Sequence, residues 1–320
     1  MKKVLFLISC LWISSCLTYC SDPQKVNIYI AKYKGDKTCA ISYTFDDGMK
    51  EHFTIAAPKL EASGFRGTFW INGSTVNGDV VADTAKLSWA ELREMQGNGH
   101  EVSNHTWSHQ KLTKISLEEA RVEIVKNDSI IFANIGVYPR TFCYPYNSHN
   151  RDILQMASEN RVGTRTEQFA IGTKTTADDL SRRVNDLLES KGWGVAMLHG
   201  INYGYDALPD PAVFWEHLRK VKEQDDRIWV GTFREIAAYS QERDQIKLKV
   251  NEKKKRLEVV PELSLDKKIF TQPLTAVVEK EGMNRITVKQ GKMKLDVRLM
   301  QGKAIFDFDP YGGTVQIVID

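Results

Sequence analysis

Between residues 40 and 241, short apolar runs of strand character alternate at a steady interval with helical patterns, and this alternation restricts the chain to few folds. The strand-like runs include 40–45, 68–71, 141–144 and 228–230, rich in β-branched and aromatic residues. Helical periodicity covers 51–62, 88–96, 116–133, 150–159, 177–190, 211–223 and 234–241. Repeated βα units of this kind build a parallel sheet, closed as a barrel or open and wound. From about Gln245 the period changes to two. Ile246, Leu248 and Val250 alternate with Lys247 and Lys249, Leu295, Val297 and Leu299 alternate with Asp296 and Arg298, and Val315, Ile317 and Ile319 close the chain. That pattern predicts a small all-β, sandwich-like module. The expected organisation is a leader over 1–20, a βα domain over 24–244 and a β domain over 245–320.

Composition fits two cores. With 320 residues, 42% of them hydrophobic, the chain can bury one large core and a smaller one. A net charge of +3 is too slight to imply a polyanionic partner, and nothing points to nucleic acid. At the N-terminus, Lys2-Lys3 precede an apolar stretch that is the length of a signal segment and too short to span a bilayer. Ile13-Ser14-Ser15-Cys16 resembles a bacterial lipobox, in which Cys16 becomes a lipidated first residue anchored to the membrane; ordinary cleavage a few residues later is the alternative. Either reading sends the protein to the bacterial cell envelope or beyond. Past the leader only Cys39 and Cys143 remain, which is no disulfide framework.

The strand at 40–45 runs into Thr44-Phe45-Asp46-Asp47-Gly48. Two carboxylates therefore stand at a strand's C-terminal end, where ligands bind in α/β proteins, and Gly48 permits a sharp turn. Asp-Asp-Gly is also ordinary turn chemistry. Roughly sixty residues on come His105 and His109, four apart, a spacing at which both imidazoles can face one point on a helical turn. One aspartate and two histidines make three ligands for a divalent metal, zinc above all, and leave a position open for water, as in catalytic rather than structural sites. The second aspartate is then free to act as a base.

Two further strand ends carry special residues: Phe142-Cys143-Tyr144-Pro145-Tyr146, and Val195-Ala196-Met197-Leu198-His199-Gly200. In order and spacing the four segments resemble the polysaccharide deacetylases of the NodB-homology type, carbohydrate esterase family four, over about residues 36 to 240. The resemblance implies a distorted (β/α) barrel of about seven units. It implies a metal held by Asp47, His105 and His109, Asp46 as general base, the backbone N–H of Tyr146 as oxyanion donor and His199 as the acid that protonates the departing amine. The implied reaction removes acetyl groups from a polysaccharide, N-acetylglucosamine-type sugars being favoured. An O-acetyl esterase of the same fold and a glycan-binding protein without turnover are the alternatives.

The sequence departs from the family pattern at three places. Cys143 stands where an arginine commonly pairs with the base, Asn147 replaces a glycine, and no aspartate motif is evident in Val162-Gly163-Thr164-Arg165-Thr166. Arg165, one strand on, is the candidate to supply the missing guanidinium, since an arginine fork holds a carboxylate as no lysine can; an ordinary surface or barrel-rim salt bridge is the alternative.

Other polar residues are assigned plainer roles. His52, His100, His149 and His217 have no partner at ligand spacing and read as packed or solvated. Trp107, between the metal histidines, is either a sugar platform or a wall. Cys143 has no flanking signature of a cysteine nucleophile. Lys253-Lys254-Lys255-Arg256 reads as a charged hairpin turn. The last tryptophan is Trp229, so the β module shows no stacking surface for sugars, and every candidate residue lies before Gly200. Residues beyond 245 are therefore expected to be dispensable for chemistry on small substrates.

Overall fold

The computed structural model describes residues 26–78, 83–253, 256–300 and 302–319. The expected leader and Cys16 lie outside them. Among the described residues no helix is long and apolar enough to cross a membrane.

The first strand, β1 (Asn27–Ile30), is followed by the barrel strands β2 (Cys39–Phe45), β3 (Thr68–Ile71), β4 (Glu101–Asn104), β5 (Thr141–Cys143), β6 (Gly163–Arg165), β7 (Phe169–Ala170), β8 (Trp193–Leu198) and β9 (Ile228–Val230). Helices α1 (Ala57–Ala62), α2 (Trp89–Gly97), α3 (Leu117–Ile135), α4 (Arg151–Ser158), α5 (Ala177–Ser190), α6 (Ala212–Lys222) and α7 (Phe233–Gln245) connect them. All pairings in this sheet are parallel, in the order β6-β5-β4-β3-β2-β8-β7. It curls into a part-barrel, open between its edge strands β6 and β7, as the βα alternation implies. β2 is its axis: β8 covers one edge of it, while β3 and β9 divide the other between the C-terminal and N-terminal ends.

Both faces of β2 are buried, which is why 39–45 reads as a nearly continuous apolar run. Tyr43 and Phe45 pack outward against helices, with the Phe45 ring stacked on Phe69 at 4.8 Å. Ser42 and Thr44 point the other way and are satisfied there, Ser42 Oγ by Trp193 Nε1 at 3.1 Å and Thr44 Oγ1 by Ala196 O at 2.6 Å. Helices α2, α3, α5 and α7 each start on a capping box, formed by Ser88 with Glu91, Ser116 with Glu119, Thr176 with Asp179 and Thr232 with Glu235. The helix expected over 51–62 is split: its first part, His52–Ala56, is π-helical, a widened turn often found beside functional sites.

Beyond α7 come β10 (Lys247–Lys253), β11 (Arg256–Glu262), β12 (Leu274–Glu279), β13 (Ile286–Gln290), β14 (Met293–Lys294), β15 (Arg298–Met300), β16 (Lys303–Phe308) and β17 (Val315–Ile319). They form two antiparallel sheets, β10-β11-β17-β13-β14 and β1-β12-β16-β15. The expected boundary falls between residues 244 and 245, yet β1 pairs across it, Asn27 opposite Glu279 and Ile30 opposite Ala276. The module's core, including Leu257, Leu274, Ala276, Phe306 and Ile317, is continuous with Ala40, Trp229 and Tyr239. Ala40 lies near the N-terminal end of β2, so the module is seated on the barrel face opposite the strand ends that carry the site.

Candidate active site

Asp46 and Asp47 follow β2 directly and part company at once. Asp46 turns inward and is only 3% exposed. There Arg165 Nη1 donates to its Oδ1 at 2.9 Å and Nη2 to its Oδ2 at 2.5 Å, while Nη1 also reaches Thr44 Oγ1 at 3.0 Å. The guanidinium lies over the Trp70 ring, 4.5 Å from its centroid. Burial pushes the Asp46 pKa up, the Arg165 guanidinium pulls it down by its charge and its hydrogen bonds, and the balance falls at about 2. Cys143 Sγ is 3.7 Å from Asp46 Oδ2, and burial drives its thiol pKa well above the ordinary value, so it is a protonated neighbour and no thiolate nucleophile.

Asp47 takes a left-handed backbone, φ 73, which swings its carboxylate toward the two histidines. Its Oδ1 lies 3.5 Å from His105 Nε2 and 3.3 Å from His109 Nε2, buried and without a hydrogen bond. His105 Nδ1 donates to the Cys143 carbonyl at 2.9 Å, so neutral His105 presents a lone pair at Nε2. Burial lowers its pKa, against the pull of Asp46 and Asp47. An unpartnered carboxylate oxygen facing an imidazole lone pair is repulsive until a cation lies between them. The three ligand atoms fall within 4.8 Å of one another, a donor set of two nitrogens and one oxygen that fits a divalent metal such as zinc.

The two histidines do not share a helical turn. They sit on the loop leaving β4, where Thr106 (φ 68) and His109 (φ 59) are also left-handed. Each such residue costs about 1–3 kcal/mol, and the surroundings hold it in place. Asn104 Oδ1 accepts from Thr106 N at 2.7 Å, Thr106 Oγ1 from His109 N at 3.1 Å, and Glu123 on α3 from Ser108 N and Oγ, both at 2.7 Å. Trp107 carries Lys126 over its ring at 4.0 Å.

Tyr146, again left-handed with φ 58, brings its ring to 4.8 Å from that of His109 and is 64% exposed at the rim. His199, just past β8, stands across from these groups with Nε2 3.9 Å from Asp46 Oδ2. Its Nδ1 is buried without a partner, and the Tyr205 ring meets it edge-on at 5.0 Å. Asp46, Asp47, His105, His109, Tyr146, Arg165 and His199 are thus brought together at one barrel mouth.

Of the four histidines assigned plainer roles, His100 accepts from Gly67 N and meets Glu61, and His217 meets the Tyr43 hydroxyl at 2.8 Å. The His149 ring packs against Tyr144. His52 is different: its Nε2 donates to the His199 carbonyl at 2.8 Å, and burial lowers its pKa to about 4, so it is neutral. Its position five residues after Asp47 was the only signal for this contact.

A curled parallel sheet thus carries an aspartate pair, two loop histidines and a late histidine at one mouth. Residues 33–164 match the family model described as polysaccharide deacetylase. The chain is 32% identical over 154 residues to the peptidoglycan-N-acetylglucosamine deacetylase PgdA of Listeria monocytogenes, covering 48% of this chain and 30% of that protein. It is 27% identical over 164 residues to chitin deacetylase 2 of Cryptococcus neoformans, covering 49% of this chain and 34% of that one. The matched stretch thus spans about a third of these curated relatives. In fold, a crystal structure of a Mycobacterium smegmatis protein assigned to the polysaccharide deacetylases superposes with a TM-score of 0.52 at 15% identity, over 71% of this chain and 98% of that one.

Proposed function

We propose that this protein removes acetyl groups from an acetylated polysaccharide of the bacterial cell envelope in a metal-dependent reaction, with N-acetylglucosamine-type amides as the favoured substrate. The observation that carries the reading is the convergence of Asp47, His105 and His109 on one point, beside an aspartate clamped by an arginine. The names of the Listeria and Cryptococcus relatives, peptidoglycan N-acetylglucosamine and chitin deacetylases, favour the N-acetyl substrate.

In this reading Asp47, His105 and His109 hold a divalent cation, zinc in the first instance. Bound there, it would supply a Lewis acid that makes a water acidic near neutral pH and polarises the acetyl carbonyl. Asp46, kept ionised and oriented by Arg165, accepts the proton of the attacking water. Because its two oxygens are engaged by Arg165, Asp46 stays a base and does not become a fourth ligand. The backbone N–H of Tyr146 donates to the oxygen on which negative charge develops. His199 gives a proton to the nitrogen as the C–N bond breaks, a step an amide needs more than an ester, since an amine anion is a poor leaving group.

Catalysis is assigned to the domain over 24–244, and the module over 245–320 to support of the barrel. Membrane attachment through Cys16 completes the proposal and would hold the enzyme at the envelope. The test is acetate release from chitin oligomers, peptidoglycan fragments, poly-N-acetylglucosamine and acetylated xylan, each with and without a chelator. Chelator-sensitive release from an N-acetylated polymer supports the reading; release from xylan alone would make the protein an O-acetyl esterase, and binding without release a glycan-binding protein.

A further inference from the structure

Just past the aspartate pair, the residue that caps the π-helical segment is a third carboxylate, which the chemistry above does not use. Glu51 is only 3% exposed. It accepts four hydrogen bonds, all from the segment that follows His199: Ile201 N at 3.1 Å, Asn202 N at 2.8 Å, Tyr203 N at 3.3 Å and Asn202 Nδ2 at 2.6 Å. Next to it, His52 holds the carbonyl of His199 itself. The segment closes on itself through Gly200 N to Tyr205 O at 3.1 Å, and a Cβ at Gly200 would lie 2.0 Å from Tyr203 O. Residues 202–205 are exposed, and the loop is fixed from below by this buried carboxylate together with Ile201 and Leu208, which are buried in the barrel core. Bonds to an ionised acceptor are about twice as strong as neutral ones, and a loop pinned by four of them is well defined.

We infer that Glu51 is a positioning residue, whose clamp on residues 201–203 aims His199 at the leaving nitrogen and fixes the Tyr205 ring beside it. The inference rests on the proposed role of His199 as proton donor. It adds a chemical consequence: the clamp matters in proportion to how badly the leaving group needs a proton. An N-acetyl sugar releases its amine only when the nitrogen gains a proton as the C–N bond breaks. An activated ester such as 4-nitrophenyl acetate releases a stable phenolate and needs none. A defect in fold or in metal content lowers turnover of both substrates equally; loss of aim at His199 lowers the amide reaction alone.

The experiment compares the zinc-loaded full chain, His199→Ala, Glu51→Gln and Glu51→Ala on an N-acetylglucosamine oligomer and on 4-nitrophenyl acetate, with metal content and melting recorded for each. His199→Ala and Glu51→Ala are expected to lower kcat on the oligomer about a hundredfold while the ester changes by less than about twofold. Glu51→Gln, which keeps one acceptor oxygen, falls between. Should Glu51→Ala fail to fold, Asn202→Ala removes one bond to the clamp without leaving a buried charge unpaired, and a smaller loss confined to the oligomer is expected. Equal losses on the two substrates, or an unchanged ratio in both Glu51→Gln and Asn202→Ala, would overturn the inference. If His199→Ala itself lost both activities equally, the proton-donor reading would fall and this inference with it; if only the Glu51 and Asn202 variants kept the parent ratio, the donor reading would stand alone.

Discussion

Arg165 and Cys143 are register partners on adjacent strands, β6 and β5, and so project side by side from the same face of the sheet. This explains how the guanidinium reaches Asp46 although position 143, where the family commonly has its arginine, holds a thiol. Moving the arginine one strand along keeps the charged fork at the same carboxylate, and the small Cys143 side chain leaves it room. Arg165 and Asp46 are 119 residues apart in sequence and both almost fully buried.

Replacing Arg165 by lysine keeps a charge and loses the fork. Arg165→Lys is expected to lower kcat more than tenfold, a loss of above about 1.4 kcal/mol of transition-state stabilisation, with metal content unchanged. Steady-state kinetics together with elemental analysis checks this, and a near-normal kcat would remove Arg165 from the mechanism.

The seam between barrel and β module predicts a pH dependence of stability. Glu242 on α7 is fully buried and accepts the N–H of Gln272 at 3.1 and 3.2 Å. Burial pushes its pKa up from 4.5 to about 7, with the Gln272 N–H opposing and Asp309 adding to the rise. A carboxyl with a raised folded-state pKa holds its proton more tightly when folded. Its cost is therefore absent below the unfolded value, grows as pH rises from about 4.5 to about 7, and is constant above, reaching up to about 3 kcal/mol. Glu242→Gln should melt higher than the parent at pH 8 and show a shrinking difference toward pH 5; a difference independent of pH would contradict this.

The β module shares its core with the barrel, so its contribution should be to stability. Leu274 is fully buried in the cluster that includes Ala40 and Trp229. Leu274→Ala should cost about 2–5 kcal/mol in denaturant unfolding while leaving kcat per folded, metal-loaded molecule on a small acetyl ester unchanged. A kcat loss in variants that remain folded would mean that the module shapes the site.

If Cys16 is lipidated, Cys16→Ala should move the protein from the membrane to the soluble fraction of its natural host. Mass spectrometry that finds an unmodified N-terminus beyond Cys16 in the parent would count against the anchor.

The barrel was legible in the sequence for a physical reason. The strand over 39–45 is buried on both faces and carries no charged residue, so its end shows up as the place where Asp46 and Asp47 begin. What escaped notice depends on long-range pairing or on local geometry that periodicity does not encode. β1 is four residues long and joins a sheet some 250 residues away, with no pattern in it to name its partner. The His105 to His109 spacing is compatible with a helical turn, but the backbone there is held by hydrogen bonds that Asn104, Thr106 and Glu123 side chains accept from loop N–H groups, with Thr106 and His109 left-handed. Glu51 and His52 looked like two polar positions of an ordinary amphipathic helix. Their partners are backbone groups around residue 200, which the sequence does not reveal.

Metal-dependent acetyl removal is tested most directly by acetate release from an N-acetylglucosamine oligomer by the full chain, first stripped of metal and then given one equivalent of zinc, alongside His105→Ala treated in the same way. The account predicts no release from the stripped protein, recovery at one zinc per chain, and neither zinc retention nor release in His105→Ala. Full release from the stripped parent, or equal zinc content in parent and His105→Ala after dialysis, would contradict it.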